Sequence, residues 1–450
     1  VSERTGNAPA RDAGAADAPS GTPVVMIESL DAQGRGVAHY EGKALFVEGA
    51  LPGERVEFAA TKRKPRYEQG RIGRLLGESA GRVAPRCMFF GVCGGCSMQH
   101  AALPLQIAAK QRVLEDALWH VGRVKPDTVL APLQGPSWGY RHRARLSVRL
   151  VPKKGGVLVG FHERRSSYVA DMTSCEVLPP HVSRLLPELR VLVQATSIAN
   201  RLPQIEVSVG ARATVLVFRI LQPLTPADEA LLRRFAEQHG VQVWLQTAGP
   251  ESAQPFHPLD GPALDYVLDD FGVRIAFLPT DFTQVNHAIN AVLVRRALRL
   301  LAPQRGERVL DLFCGLGNFA LPAAALGARV TGYEGNAGLA RRAQENAARN
   351  GLAAEFGVAN LFEPTQVPSL STAHKLIIDP PREGAVEVVK AVDPQAAPER
   401  IVYVSCDPAT LARDAGILVS QKGYRLAAAG IANMFPHTAH VESIALFTRE

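Results

Sequence analysis

The feature that most constrains the fold of this chain is the alternation, over roughly its last third, of short apolar runs with segments of helical periodicity. RVLDLF (308–313) reads as a buried strand, and GLGNFALPAAALG follows as turn and helix. RVTGYE (329–334) reads as a second strand, and AGLARRAQENAARNGL as an amphipathic helix. KLIIDPP, RIVYVSC, YRLAAAGI and HVESIALFT supply further strands. Strands separated by helices imply a parallel sheet with helices on both faces, a doubly wound, Rossmann-like α/β domain. Ligands in such sheets bind beyond the carboxyl ends of the strands. The residues that end each run therefore define the candidate site.

The first run ends in Asp311-Leu-Phe-Cys-Gly-Leu-Gly-Asn318, where Gly315 and Gly317 allow close approach of backbone to a ligand. This is not G-x-G-x-x-G, and no Lys-Ser/Thr pair follows, which argues against a dinucleotide or ATP. Glu334 ends the second run, where a carboxylate can hold two ribose hydroxyls. Asn360 closes the third, where an amide can bond a ribosyl or adenine group. A Gly-rich loop after strand one and an acid after strand two suggest S-adenosylmethionine. The fourth run ends in Asp379-Pro380-Pro381-Arg382, similar to the Asp/Asn-Pro-Pro-aromatic signature of amino-group methyltransferases, but with Arg382 where an aromatic ring would stack on the target base.

The fifth run ends in Ser405-Cys406-Asp407-Pro408, which puts a cysteine at the same sheet edge as the cofactor pocket. C5 of uracil is a poor nucleophile. A thiolate adding to C6 makes an enolate, and C5 can then attack a sulfonium methyl. A base must next remove the C5 proton. A free thiol titrates near 8.5, so the site is expected to depress that value. Glu442, His437 and His440, all in NMFPHTAHVES, are the candidate bases, and spacing does not choose among them.

With 450 residues the chain is too long for one core, and several domains are expected. Residues 1–21, rich in Ala, Gly, Pro and Asp, read as a disordered tail. Residues 22–80 carry VVMIESL, GVAHY, KALFVEGAL and ERVEFAATK, short runs broken by turns, as in a small all-β barrel. That stretch ends in KRKPRYEQGRIGR, where Lys62, Arg63, Lys64, Arg66, Arg71 and Arg74 face only Glu68, and Tyr67 could stack on a base. The formal net charge of +7 also favours a polyanionic partner. Residues 81–272 mix strands and helices, an α+β central domain. It contains an amphipathic helix at 103–121 and a second basic run of Arg141, His142, Arg143, Arg145 and Arg149, to which we assign no chemistry. Residues 273–450 form the α/β domain.

Cys87, Cys93 and Cys96 lie within ten residues, and Cys175 is a plausible fourth ligand. Four thiols suit a structural zinc ion; the x5-then-x2 spacing also suits a cubic iron–sulfur cluster, and spacing leaves both open. Cys314 reads as packing. No apolar run is long enough to span a bilayer and no secretory leader is visible, so a reducing, cytoplasmic setting is expected.

The set CMFFGVCGGC, DLFCGLGNF, IIDPPREG, YVSCDPATLARD and HVES resembles the RNA m5U methyltransferases. The resemblance covers nearly the whole chain beyond the tail and points to the members acting on 23S ribosomal RNA. It implies that the barrel is a TRAM domain, an OB-like RNA binder, that Cys87, Cys93, Cys96 and Cys175 hold a [4Fe-4S] cluster, and that helix 103–121 packs with the methyltransferase domain. It implies that Gln284, Phe313, Asn318, Glu334, Asn360 and Asp379 bind S-adenosylmethionine, that Cys406 is the nucleophile and that Glu442 is the base. Asp-Pro-Pro-Arg replaces the Asp-Pro-Ala-Arg of some members, which bears on loop shape alone. The chain is expected to act as a monomer with no protein partner. Three other functions fit parts of the pattern: an m5U methyltransferase for another rRNA or tRNA uridine, an amino-group methyltransferase indifferent to Cys406, and an iron–sulfur RNA-binding or electron-transfer protein without methyl transfer.

Overall fold

The computed structural model describes residues 23–449. The tail expected at 1–21 lies outside them. The chain divides into two compact units. One holds the described residues up to Asp31 with Arg35–Ala80; the other holds Ala32–Gly34 and everything from Gly81 onward.

In the first unit, β1 (Val24–Met26), β2 (Ser29–Leu30), β3 (Gly36–Tyr40), β4 (Lys43–Glu48), β5 (Arg55–Arg63) and β6 (Tyr67–Gly77) form a sheet in the order β1-β5-β6-β4-β3-β2. Alternate residues point inward, and Val25, Ile27, Leu45, Val47, Val56 and Phe58 make one small core. The β5–β6 pairing shifts register at three places, bulges that bend and twist the long pair. Beyond Phe58 the burial alternation stops and β5 runs out exposed into the basic turn.

In the second unit, α1 (Leu103–Ala117) and the short β7 (Thr128–Val129) precede a sheet made of β8 (Arg143–Val151), β9 (Gly156–Gly160), β10 (Gln204–Val209), β11 (Thr214–Arg219), β12 (Gln242–Gln246) and β13 (Gln254–His257). Two helices, α2 (Pro180–Ala195) and α3 (Pro226–His239), share its core through Leu185, Leu186, Leu189, Leu232 and Phe235. Cys93 and Cys175 belong to the same core. The hairpin of β14 (Leu264–Leu268) and β15 (Val273–Phe277) follows.

The doubly wound domain then runs α4 (His287–Leu301), β16 (Arg308–Leu312), α5 (Ala320–Ala325), β17 (Arg329–Glu334), α6 (Ala337–Arg349), β18 (Ala354–Val358), β19 (Lys375–Ile378), α7 (Val386–Ala391), β20 (Arg400–Ser405), α8 (Pro408–Lys422), β21 (Arg425–Ala432) and β22 (Glu442–Thr448). The strand order is β18-β17-β16-β19-β20-β22-β21-β7. β18 to β20 are parallel, as the alternation requires, whereas β22 runs antiparallel between β20 and β21. The order reverses between β16 and β19, and a crevice opens at that switch point.

One face of this sheet is closed by α1. Ile107, Leu114 and Leu118 share a core with Leu411, Ala412 and Ala415 of α8. The helix continues into a π-turn, Leu118–Gly122, closed by Arg123 in the left-handed region. Gly122 touches α8 backbone to backbone, and a Cβ there would lie 2.4 Å from the carbonyl oxygen of Ala412.

Candidate active site

A cleft of about 710 Å³ lies over the carboxyl ends of β16, β17, β19 and β20. Its walls include Gln284, Phe313, Asn318, Glu334, Asn360 and Asp379, and also Cys406, His440 and Glu442. All eight residues expected to bind the cofactor or act in catalysis therefore face one space. Phe313 and Asn318 share the loop after β16, Glu334, Asn360, Asp379 and Cys406 stand at or just past the ends of β17, β18, β19 and β20, Glu442 opens β22, and Gln284 lies in the loop before α4.

The loop after β16 turns through Phe313 (φ 63°), Gly315 (54°) and Gly317 (89°), all left-handed. Phe313 is the one of these three that pays a steric cost, and non-glycine strain of this kind gathers at ligand sites. Glu334 accepts the backbone N–H of Gly315 at 3.1 Å and that of Asn336 at 2.9 Å, so its carboxylate is held at the lip of the loop. Asn318 is held by partners that sequence reading missed. Its Oδ1 accepts from Tyr266 Oη at 3.0 Å and from Asn290 Nδ2 at 2.8 Å, and its own Nδ2 donates to Asn290 Oδ1 at 2.9 Å. Asn360 donates its N–H to Gln366 and accepts from the Phe362 N–H. Phe282, Thr283 and Arg141 also line the cleft. The basic run that includes Arg141 carried a charge signal but no positional one.

The register of the last strands brings Cys406 and Glu442 together. Ser405 of β20 pairs with Ser443 of β22, so the next residues along, Cys406 and Glu442, extend past the same point of the ladder. Asp407 caps α8, its Oδ1 accepting from Ala409 and Thr410 N–H groups, so Cys406 lies just before a helix N-terminus. That end carries partial positive charge and favours an anion. The thiol is nevertheless not depressed. Burial, Glu442 and Asp379 push Cys406 up to about 11, and Arg382 opposes them. The expectation of a lowered thiol thus fails, because burial, with two carboxyl groups beside it, outweighs one guanidinium. Glu442 is fully buried, and burial with Asp379 nearby raises it well above the carboxylate range. Burial pushes Asp379 up to about 7. Asp311, buried beneath the loop, is raised by the same desolvation and by Asp379 and Glu334.

The two histidines have different places. His437 is buried, stacks on Trp138 at 3.8 Å between centroids and is pushed down to about 4 by burial; it does not line the cleft. His440 does line it, with Nδ1 3.5 Å from Arg382. Of the three candidate bases, His437 is out of position.

Away from the cleft, Cys87, Cys93, Cys96 and Cys175 surround one small cavity of about 20 Å³, beside Phe89, Phe161 and Arg141. All four are free thiols. Burial raises Cys93, and it raises Cys96 to about 11 and Cys175 to about 12. Among the described residues no group of three or more His, Cys, Asp or Glu side chains is set to hold a metal ion. The structure gathers the four cysteines around one cavity. Cys314 is buried under the Gly-rich loop, as packing requires. No helix of the described residues is long and apolar enough to cross a membrane.

The family model described as tRNA (Uracil-5-)-methyltransferase matches residues 267–356 and 368–450, and the TRAM domain model matches residues 24–72. The chain is 63% identical over 431 residues to the 23S rRNA (uracil(1939)-C(5))-methyltransferase RlmD of Aromatoleum aromaticum, covering 95% of this chain and all of the relative. It is 59% identical over 456 residues to the protein of the same name from Burkholderia pseudomallei, covering 98% of each. The tRNA (uracil-54, C5)-methyltransferase of Pyrococcus abyssi, solved with S-adenosyl-L-homocysteine, superimposes with a TM-score of 0.72 over 94% of this chain and 99% of that one, at 24% identity. That likeness shows the fold.

Proposed function

Because this chain belongs to the RNA uracil-C5 methyltransferase family, we infer that it methylates C5 of uracil-1939 in 23S ribosomal RNA, the target named for relatives 59–63% identical to it. The observation that carries the chemistry is the placing of Cys406, Glu442 and Asp379 at three neighbouring strand ends of one cleft. An amino-group methyltransferase needs no thiol there.

The cleft suits S-adenosylmethionine in size, since small-molecule sites run to roughly 300–1,000 Å³. Gln284, Phe313, Asn318, Glu334, Asn360 and Asp379 would hold it, Glu334 at the ribose hydroxyls. When bound, S-adenosylmethionine supplies an electrophilic methyl group on a positively charged sulfur. That charge favours the anionic forms of Cys406 and Glu442, and Arg382 acts in the same direction. The Cys406 sulfur adds to C6 of the uracil, and the C5–C6 electron pair moves into the enolate. C5 takes the methyl group as the methyl–sulfur bond breaks, the electron pair staying on sulfur to leave the neutral thioether S-adenosylhomocysteine. The Glu442 carboxylate then takes the C5 proton, the double bond reforms, and the C6–S bond breaks with its electron pair returning to sulfur. A buried carboxylate beside a second acid has high proton affinity, which suits this last step.

The test is RNA carrying 5-fluorouridine at the target, read on a denaturing gel. Fluorine cannot leave as a proton, so the wild-type protein should hold a stable methylated complex, and Cys406→Ala none. With ordinary RNA, Glu442→Gln should accumulate the methylated adduct, with turnover reduced about 10²- to 10⁴-fold. Methylation by Cys406→Ala would overturn the reading. Wild-type turnover by Glu442→Gln would move the base to His440.

The cysteine cavity offers a [4Fe-4S] cluster four soft thiols, and Cys87, Cys93, Cys96 and Cys175 would hold it; Glu176 on the same wall is paired with Arg86 and Gln99 accepts from the Cys87 N–H. Such a cluster supplies rigidity and charge; the methyl transfer above moves no electrons through it. Protein purified without air should be brown, with about four irons and acid-labile sulfide per chain. Zinc without sulfide would refute the cluster.

A further inference from the structure

We propose that Lys110, with Gln106 and Ser97, clamps the segment that leads into Glu442, and that Lys110 is a positioning residue for proton removal from C5. The proposal rests on Glu442 being the base.

Lys110 is 2% exposed, on the face of α1 that meets the methyltransferase sheet. Its ammonium donates to Asn433 Oδ1 and to the carbonyl of Phe435, each at 2.8 Å. Both acceptors are neutral, and no ion pair to Lys110 is present among the described residues. Desolvation without a counter-charge pulls it down to about 7. A buried cation without a partner is costly, and methionine of similar length would fill the space more cheaply. The charge is explained by what it holds.

What it holds is the start of the stretch from Asn433 to Glu442, and the neighbouring residues hold the rest. His437 sits at φ 65°, a strained value for a non-glycine residue. Its N–H donates to Gln106 Oε1 at 2.8 Å, and its carbonyl accepts from the N–H groups of Ser97 and Met98 at 2.9 Å each. Gln106 Nε2 donates in turn to the carbonyls of Met98 and Ala101, so the amide is anchored at both ends. The Ala439 N–H donates to Ser97 Oγ at 3.1 Å. Asn433, Phe435, His437 and Ala439 are therefore each tied to the 97–110 segment, and Glu442 follows directly. The titratable groups facing Lys110 are His437 and His440, both held neutral in part by its charge.

The experiment compares the whole protein with Lys110→Met, Ser97→Ala and Glu442→Gln by hydrogen exchange and by adduct trapping on uridine-containing target RNA. For Lys110→Met we expect loss of exchange protection confined to 433–442. We also expect a kcat at least tenfold lower, an unchanged KM for S-adenosylmethionine and a build-up of methylated covalent adduct resembling that of Glu442→Gln. Ser97→Ala, which deletes a single hydrogen bond and should fold, should show the same pattern more weakly. Unchanged exchange at 433–442 overturns the clamp. Exchange that rises across the whole chain, or adduct formation that falls together with product, reduces Lys110 to a merely structural role and also overturns it. If Glu442→Gln itself traps no adduct, the base assignment has failed, and the exchange pattern still decides the clamp.

Discussion

Asp379 shows how a single carboxyl group ties stability to function. Burial raises it from the usual 3.8 to about 7. Between those values the folded protein binds more protons than the unfolded chain, so folding stability falls as pH rises through the window and stays reduced above it. Asp379→Asn removes that penalty. In urea titrations without cofactor, the variant should gain stability over wild type at about pH 8 and gain much less at about pH 5. Equal gains at both would show that the carboxyl is not desolvated in solution. The same substitution should abolish measurable cofactor binding, because it removes the negative charge that would compensate a sulfonium ion.

At the scale of elements, what was legible and what was not divide by sequence separation. The parallel strands announced themselves because each is a short apolar run, and Glu334, Asp379 and Cys406 stand at or just past the ends of three of them. Glu442 could be named only by resemblance, because its place depends on β22 running antiparallel beside β20, and no local pattern states strand direction. The anchoring of Asn318 on Tyr266 and Asn290 was invisible for the same reason. So was the grip of Lys110 on residues 323 and 325 positions away, since a lysine in an amphipathic helix reads as solvent-facing. Gly122 offers a test at this scale. Its close approach to Ala412 seats the π-turn on α8, the helix that begins beside Cys406. Gly122→Ala must push the two apart and should cost about 1–3 kcal/mol in denaturant titration, as overpacking does. Retained stability would mean that the π-turn shifts freely. Gly423→Ala, at a left-handed cap with open space around it, separates backbone strain from crowding.

For the molecule as a whole, the barrel supplies charge where the cleft supplies chemistry. Lys62, Lys64 and Arg66 are exposed at the far end of β5 and the turn after it. Arg63 lies 3.8 Å from Glu68, so its charge is partly matched. Replacing Lys62, Lys64 and Arg66 with glutamine should weaken RNA binding and flatten its salt dependence by about 2 to 3 log units per log of salt, leaving the choice of uridine unaltered. An unaltered salt slope would mark the turn as an ordinary solvated surface.

The position of β22 has a consequence for how such a protein comes into being. It is the last strand in chain order, yet it fills a slot between two strands made before it. A nascent chain that has completed β20 and β21 therefore carries a gap in its sheet, with two unpaired edges that invite pairing with other strands. Glu442 is the first residue of the strand that closes the gap. On the proposed roles of Cys406 as nucleophile and Glu442 as base, closing the sheet and completing the site are then the same event.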